Sequence, residues 1–326
     1  MPLPSLFEIM IVIASITLLI SFLIWRLAAA RRVYLVNQRE SLTANTALKI
    51  LVDNLQQHRG MLNATLSGDN SFKTKITQTQ KQINSTLSEL NDELKNTALN
   101  THLEHLNKIQ SSWAKLYPTV YSLSRLESLK KHTAIVQSTL FLMTNIAEEN
   151  QLLKDSCYPE ELVDIIWHCI PNTAEALGKT RAAGSGIAAT GVCGAIDHIK
   201  VGFLIKHIND TTKIVEVGLK NLQHESSDFN KLFTTYKSIQ SGVHDLMDTL
   251  QHKIVEPKSP QITAGLFFEQ ATVCLNKVYG FFDQAESMVK QRIMESLEKT
   301  ERTIKLSFYF MVVSLTSLLV ISFINI

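Results

Sequence analysis

Two segments of this 326-residue chain carry residue types from which a binding site could be built. The first reads His58-Arg59-Gly60-Met61-Leu62-Asn63-Ala64-Thr65-Leu66-Ser67-Gly68, and the second Leu177-Gly178-Lys179-Thr180-Arg181-Ala182-Ala183-Gly184-Ser185-Gly186-Ile187-Ala188-Ala189-Thr190-Gly191. Each sets an arginine ahead of a run of small side chains and closes on a glycine at an expected helix end, so Arg59 and Arg181 read as pseudo-equivalent. Glycine inside a helix costs about 1 kcal/mol relative to alanine. Gly60, Gly184 and Gly186 therefore call for an offsetting gain, and close packing of helices around a ligand would supply one. A guanidinium is planar, permanently charged and able to offer two parallel N–H donors, which matches a planar, delocalised anion with no proton to give.

The stretch Leu55-Gln56-Gln57-His58-Arg59-Gly60, with the small residues and the Gly68 turn after it, resembles the first helix of the nitrate- and nitrite-sensing (NIT-like) helical domain of bacterial membrane receptors. The likeness extends weakly to the Phe267-Phe268-Glu269-Gln270-Ala271-Thr272 segment. The resemblance implies a small inorganic anion, nitrate or nitrite, as ligand. It also implies that Arg59 and Arg181 hold the anion and that the chain sits in a bacterial inner membrane. His58, beside Arg59, could contact the anion too. Helical sensor bundles often dimerise, so a homodimer is a possible assembly. The plainer reading of the same residues has each arginine paired with a carboxylate or snorkelling to solvent, with His58 and the small residues serving only as packing. On that reading the chain is a structural or scaffolding membrane protein that binds no ligand.

Other chemistry finds little footing. No glycine-rich phosphate loop follows a strand, no nucleophile elbow is present and no paired carboxylates stand in a recognisable frame, so no catalytic residue, enzyme activity or cofactor is expected. Glu148 and Glu149 read as a solvated helix face. His102 and His105 flank Glu104, and His198 and His207 share another helix, but without H-E-x-x-H no metal site is expected. Cys157, Cys169, Cys193 and Cys274 form no C-x-x-C pair and read as buried thiols; in a periplasmic domain a Cys157–Cys169 disulfide would be possible. With Lys+Arg 32 against Asp+Glu 30 and no long basic block, nucleic acid is not an expected partner.

The elements that must position these residues are helices. Leu48, Leu51, Val52, Leu55, Leu62 and Leu66 recur at helical spacing, and strand-like alternation is absent. Uncharged apolar runs at the two ends are long enough to cross a bilayer. The expected organisation is a transmembrane helix over 7–28, an all-helical sensor domain over 29–304 and a second transmembrane helix over 305–326. The first run lacks the basic start of a signal peptide and is expected to stay as an anchor. Arg26, Arg31, Arg32 and Arg39 follow the first span, and Lys299, Arg302 and Lys305 precede the second. The positive-inside rule then favours a cytoplasmic domain, whereas the usual plan of two-span receptors puts it in the periplasm. Punctuation at Ser67-Gly68-Asp69-Asn70-Ser71, Tyr117-Pro118-Thr119, Cys157-Tyr158-Pro159, Pro171-Asn172-Thr173 and Glu256-Pro257 divides the domain into long pieces. A weak break around 96–101 brings the number to eight, the even number that two antiparallel four-helix bundles need. With no kinase, cyclase or adaptor segment after Ile326, any signal is expected to reach a partner protein.

Overall fold

The computed structural model describes residues 6–68, 70–149 and 159–324. Cys157, Tyr158 and Asp69 lie outside the described residues, and with them the Cys157–Cys169 alternative. The described chain is all α-helical, with no strand. Helix α1 spans Leu6–Leu66, α2 Lys73–Lys95, α3 Leu103–Leu116, α4 Arg125–Glu149, α5 Glu160–Asp164, α6 Ile170–Thr190, α7 Ala195–Leu222, α8 Ser227–Leu250 and α9 Ala264–Ile324. The chain forms two compact units, Glu40–Val289 and Met1–Arg39 with Lys290–Ile326. The boundaries fall inside α1 and α9, so both terminal helices continue unbroken from one unit into the other.

In the terminal unit, both helices are long and apolar enough to cross a membrane. The seam of each repeats every seven residues: Ser21, Ala28 and Leu35 are buried on α1, and Ile293, Thr300, Ser307, Ser314 and Ile321 on α9. Small residues along a heptad seam let two backbones approach where lipid offers no hydrophobic drive for association. The large apolar side chains, Ile13, Leu19, Leu23, Phe308, Leu315 and Leu319 among them, face outward. Arg32 and Glu301 pair at 3.3 Å, both exposed.

The larger unit has two sets of four helices. In the first, α2 packs on α3 and α3 on α4, tied by Trp113 Nε1 donating to Asn84 at 2.8 Å. The last turns of α1 complete the set through His58 and His132. In the second, α6 packs on α7 and α7 on α8; the Tyr236 hydroxyl donates to the Thr212 carbonyl at 2.8 Å, and Tyr236 meets Phe281 of α9 ring to ring. The sets meet where α1 touches α6 and α9: Asn63 donates to the Ala182 carbonyl, and Tyr279 donates to Gln56.

The breaks follow local chemistry. Thr97 caps the short 3₁₀ helix Ala98–His102, which realises the break expected near 96–101. Gly68 and Gly191 take positive φ, +112° and +74°, immediately past helix ends, where glycine carries no Cβ penalty. Pro171 does not divide the chain as its punctuation predicted. Helical backbone runs without interruption from Glu160 to Thr190, through a π turn over Ile165–Cys169. There the Ile170 N–H reaches back to the Ile165 carbonyl, five residues away. The widened turn precedes a proline that lacks an N–H to extend the ladder. On α9, Phe267, Cys274, Val278, Phe281, Phe282, Ala285 and Val289 are core, whereas Leu266 and Val273 face solvent.

Candidate functional site

The middle of the larger unit is charged. Arg59 on α1 and Arg181 on α6 are both about 1% exposed, among the largest fully buried side chains. Each guanidinium rests where the facing helix has a glycine. Arg59 Nη2 stands 3.0 Å from where a Cβ on Gly178 would be, and Arg181 Nε stands 3.5 Å from the same point on Gly60. Gly184 makes room in a third way, because the Phe267 ring fills the place its Cβ would take. Gly60, Gly178 and Gly184 therefore serve close approach, two of them by an arginine and one by an aromatic ring, and Gly186 leaves room for Asn63 Nδ2, 3.1 Å from its would-be Cβ.

The two arginines differ in their partners. Arg59 makes a two-point pair with Glu175, Nη1 to Oε1 at 2.8 Å and Nη2 to Oε2 at 3.0 Å, and Nη1 also donates to Thr133 at 3.1 Å. Gln56 donates to the same carboxylate at 3.0 Å and accepts from Tyr279, and Lys179 approaches it at 3.4 Å from the rim. Arg181 has no carboxylate partner among the described residues. Its Nη1 donates to Thr272 at 3.0 Å and its guanidinium carbon lies 4.8 Å from the centre of the Phe268 ring, while Nε and Nη2 are buried with no acceptor. Burial first, and Arg59 second, bring its pKa down to about 10, so it stays charged at neutral pH. Asp53, the acid that acts most on Arg181, is raised by burial, against the Gln57 hydrogen bond and the pull of Arg181. Arg59 Nε, Asp53 Oδ1 and Asn63 Oδ1 are likewise buried without a partner.

His58 is brought beside this cluster but turned away from it. His132 Nδ1 lies 2.7 Å from the Ser128 carbonyl, which can only accept, so that nitrogen carries the proton. His132 Nε2 must then accept from His58 Nδ1 at 2.8 Å, and His58 Nε2 accepts from Gln80 at 3.1 Å. Both ring nitrogens of His58 are thus committed, and the ring sits edge-on to Trp113. Burial, then the neighbouring His132, pushes His58 down to about 3; burial pushes His132 to about 4 in spite of the Ser128 carbonyl. The pair is neutral, and it braces the α1–α4 contact next to the point where Arg59 reaches Thr133.

An open groove of about 900 Å³ between α4, α6 and α7 leads from solvent to Arg59. Its walls include Thr133, Ala182, Ala183 and Phe203, with Lys130, Lys179, Lys200 and His207 also lining it and, among the described residues, no carboxylate.

No family model, curated protein or solved structure matches this chain.

The other sequence candidates scatter. Glu149, read as solvated, lies 3.2 Å from His102, and His105 pairs with Ser138. Cys169 and Cys274 are buried thiols as expected, whereas Cys193 is half-exposed. Sequence reasoning missed Glu175 and Asp53, and it marked Phe268 and Thr272 only as part of the Phe267–Thr272 segment, without a role. Glu175 left one signal, a lone acid four residues ahead of Lys179 and three ahead of Gly178; Asp53 stands out only once α1 and α6 meet.

Proposed function

We propose that this chain is a membrane-anchored helical sensor in which a small planar anion, nitrate or nitrite, binds between α1 and α6 and shifts the terminal helices, with a partner protein taking the output. The observation that carries the reading is Arg181: a fully buried cation with two donors unpaired, next to a second buried arginine whose charge disfavours it. A planar anion accepting from Nε and Nη2 would satisfy both donors and relieve the repulsion, with charge-assisted bonds of the strong kind. The basic groove gives such an anion a path toward Arg59. His58 supports the site from behind and is not among the ligands in this reading.

The test is thermal unfolding of the full chain in detergent with millimolar nitrate or nitrite against chloride. A ligand that binds only the folded state adds about RT ln(1 + [L]/Kd) to stability. Arg181→Ala should erase the shift, and Arg181→Lys should restore little, because an ammonium lacks the planar fork. Equal melting temperatures in nitrate, nitrite and chloride would overturn the reading. A second reading, a ligand-free scaffold, is favoured by one observation: Glu175 already fills the fork of Arg59.

A further inference from the structure

The π turn ahead of α6 brings together three side chains of metal-ligating chemistry. Asp164, His168 and Cys169 each offer a donor atom, and the three donors lie within 4.8 Å of one another. In a regular helix, residues five apart diverge around the axis; in this turn, bonded i to i+5, Asp164 and Cys169 fall in line, and Cys169 Sγ comes 3.5 Å from Asp164 Oδ2. His168, a single turn beyond Asp164, brings Nδ1 to 3.4 Å from Asp164 Oδ1. For a tetrahedral zinc ion with bonds of about 2.0–2.3 Å, the donor-to-donor edges are roughly 3.3–3.6 Å. Cys169 Sγ and His168 Nδ1 each stand about that far from the Asp164 carboxylate, the first from Oδ2 and the second from Oδ1.

We infer that Asp164, His168 and Cys169 form a binding site for a divalent transition metal, zinc by donor type, with water in the fourth position. A carboxylate, one imidazole nitrogen and one thiolate make the borderline donor set that suits Zn²⁺ and disfavours Mg²⁺ and Ca²⁺. Among the described residues Asp164 pairs with no lysine or arginine, so its carboxylate is not neutralised by a fixed cation. Asp164 and His168 are more than half exposed, which leaves the outer side of the ion to solvent, while Cys169 is buried against the turn and anchors it. On binding, the Cys169 S–H bond breaks, its proton goes to the buffer and the sulfur electron pair goes to the metal, with no change of oxidation state. The ion would clamp the turn from which α6, the helix of Glu175 and Arg181, departs. Anion binding is not required for this site.

Cobalt(II) is the probe, since thiolate ligation gives it a near-ultraviolet charge-transfer band and tetrahedral geometry gives it visible bands. Titration of the full chain in detergent should show one Co²⁺ per chain with both features, abolished by excess Zn²⁺. Cys169→Ser should remove the charge-transfer band, and Asp164→Asn should weaken binding. His168→Ala, at an exposed position that leaves the fold undisturbed, should weaken binding as well and serves if the cysteine variant fails to fold. Absence of a thiolate band in the parent chain, its persistence in Cys169→Ser, or unchanged Co²⁺ affinity in His168→Ala would each overturn the proposal.

Discussion

Arg59 and Glu175, 116 positions apart, meet as a two-point ion pair in the core, with both contacts at 3.0 Å or less. A buried pair of this kind adds little net stability over an apolar replacement, but removing one partner leaves an uncompensated charge. Glu175→Gln is therefore expected to destabilise the chain by about 3–5 kcal/mol, read as a fall in the urea midpoint. The same change frees the fork of Arg59, so nitrate should stabilise Glu175→Gln more than it stabilises the parent. A variant that is unstable and unresponsive to nitrate would argue for the scaffold.

Arg181 invites the opposite change. Its burial with two donors unpaired is a cost that Thr272 and the Phe268 ring offset only in part. Arg181→Met keeps much of the volume and removes the charge, and should raise stability in chloride by about 1 kcal/mol, measured by thermal or urea unfolding. A marked loss of stability would mean that the guanidinium has partners the present geometry does not give it.

The glycines separate packing from propensity. Gly184→Ala drives a methyl into the Phe267 ring, itself fully buried, and overpacking should lower stability by about 1–3 kcal/mol. Gly242 in α8 has nothing within 4 Å of its would-be Cβ, so Gly242→Ala should instead gain about 0.4–1 kcal/mol from helix propensity and a less free unfolded chain. The two melting temperatures should move in opposite directions.

The His58–His132 pair gives a pH dependence with a definite sign. Both folded pKa values lie below the ordinary one, near 3 and near 4, so between about 6.5 and 4 the unfolded chain binds protons that the folded chain refuses. Stability contributed by the neutral pair is complete above the unfolded pKa and falls as pH drops, by up to about 1.4 kcal/mol per pH unit for each histidine. Urea midpoints between pH 7 and 5 should follow this slope, and His132→Gln should flatten it.

The positive-inside rule, applied to the charges that flank the two apolar end segments, predicts a cytoplasmic larger unit. A cysteine at an exposed position, Lys200→Cys, should therefore give no labelling by an impermeant maleimide in intact cells beyond the parent chain, and full labelling after lysis. Labelling in intact cells would put the domain outside.

Much of the fold was legible because its causes are local. Apolar spacing specified helices, uncharged end runs specified the two segments fit to cross a membrane, and Ser67-Gly68 specified an end through backbone chemistry, whereas the Thr97 cap showed only as a weak break around 96–101. Pro171 misled for an equally local reason that propensity does not encode: a π turn absorbs the missing N–H, and the helix carries on. The heptad seams Ser21-Ala28-Leu35 and Thr300-Ser307-Ser314 were present in the sequence, but uniform apolarity around them masked the period.

The sequence by itself determined an all-helical chain with apolar end segments, and it singled out Arg59 and Arg181 because arginines beside glycine runs are conspicuous. Only the tertiary structure decided what those arginines do. Glu175, Asp53, Thr272 and Phe268 are between 6 and 213 positions from one arginine or the other along the chain, and which donors they satisfy depends on how α1, α6 and α9 come together. Hydrogen bonds and ion pairs act over about 3 Å, a distance that residue spacing on one helix can predict for neighbours a turn apart and that only packing can set between helices. For that reason one arginine is paired and the other is not, and His58, adjacent to Arg59 in sequence, points to His132.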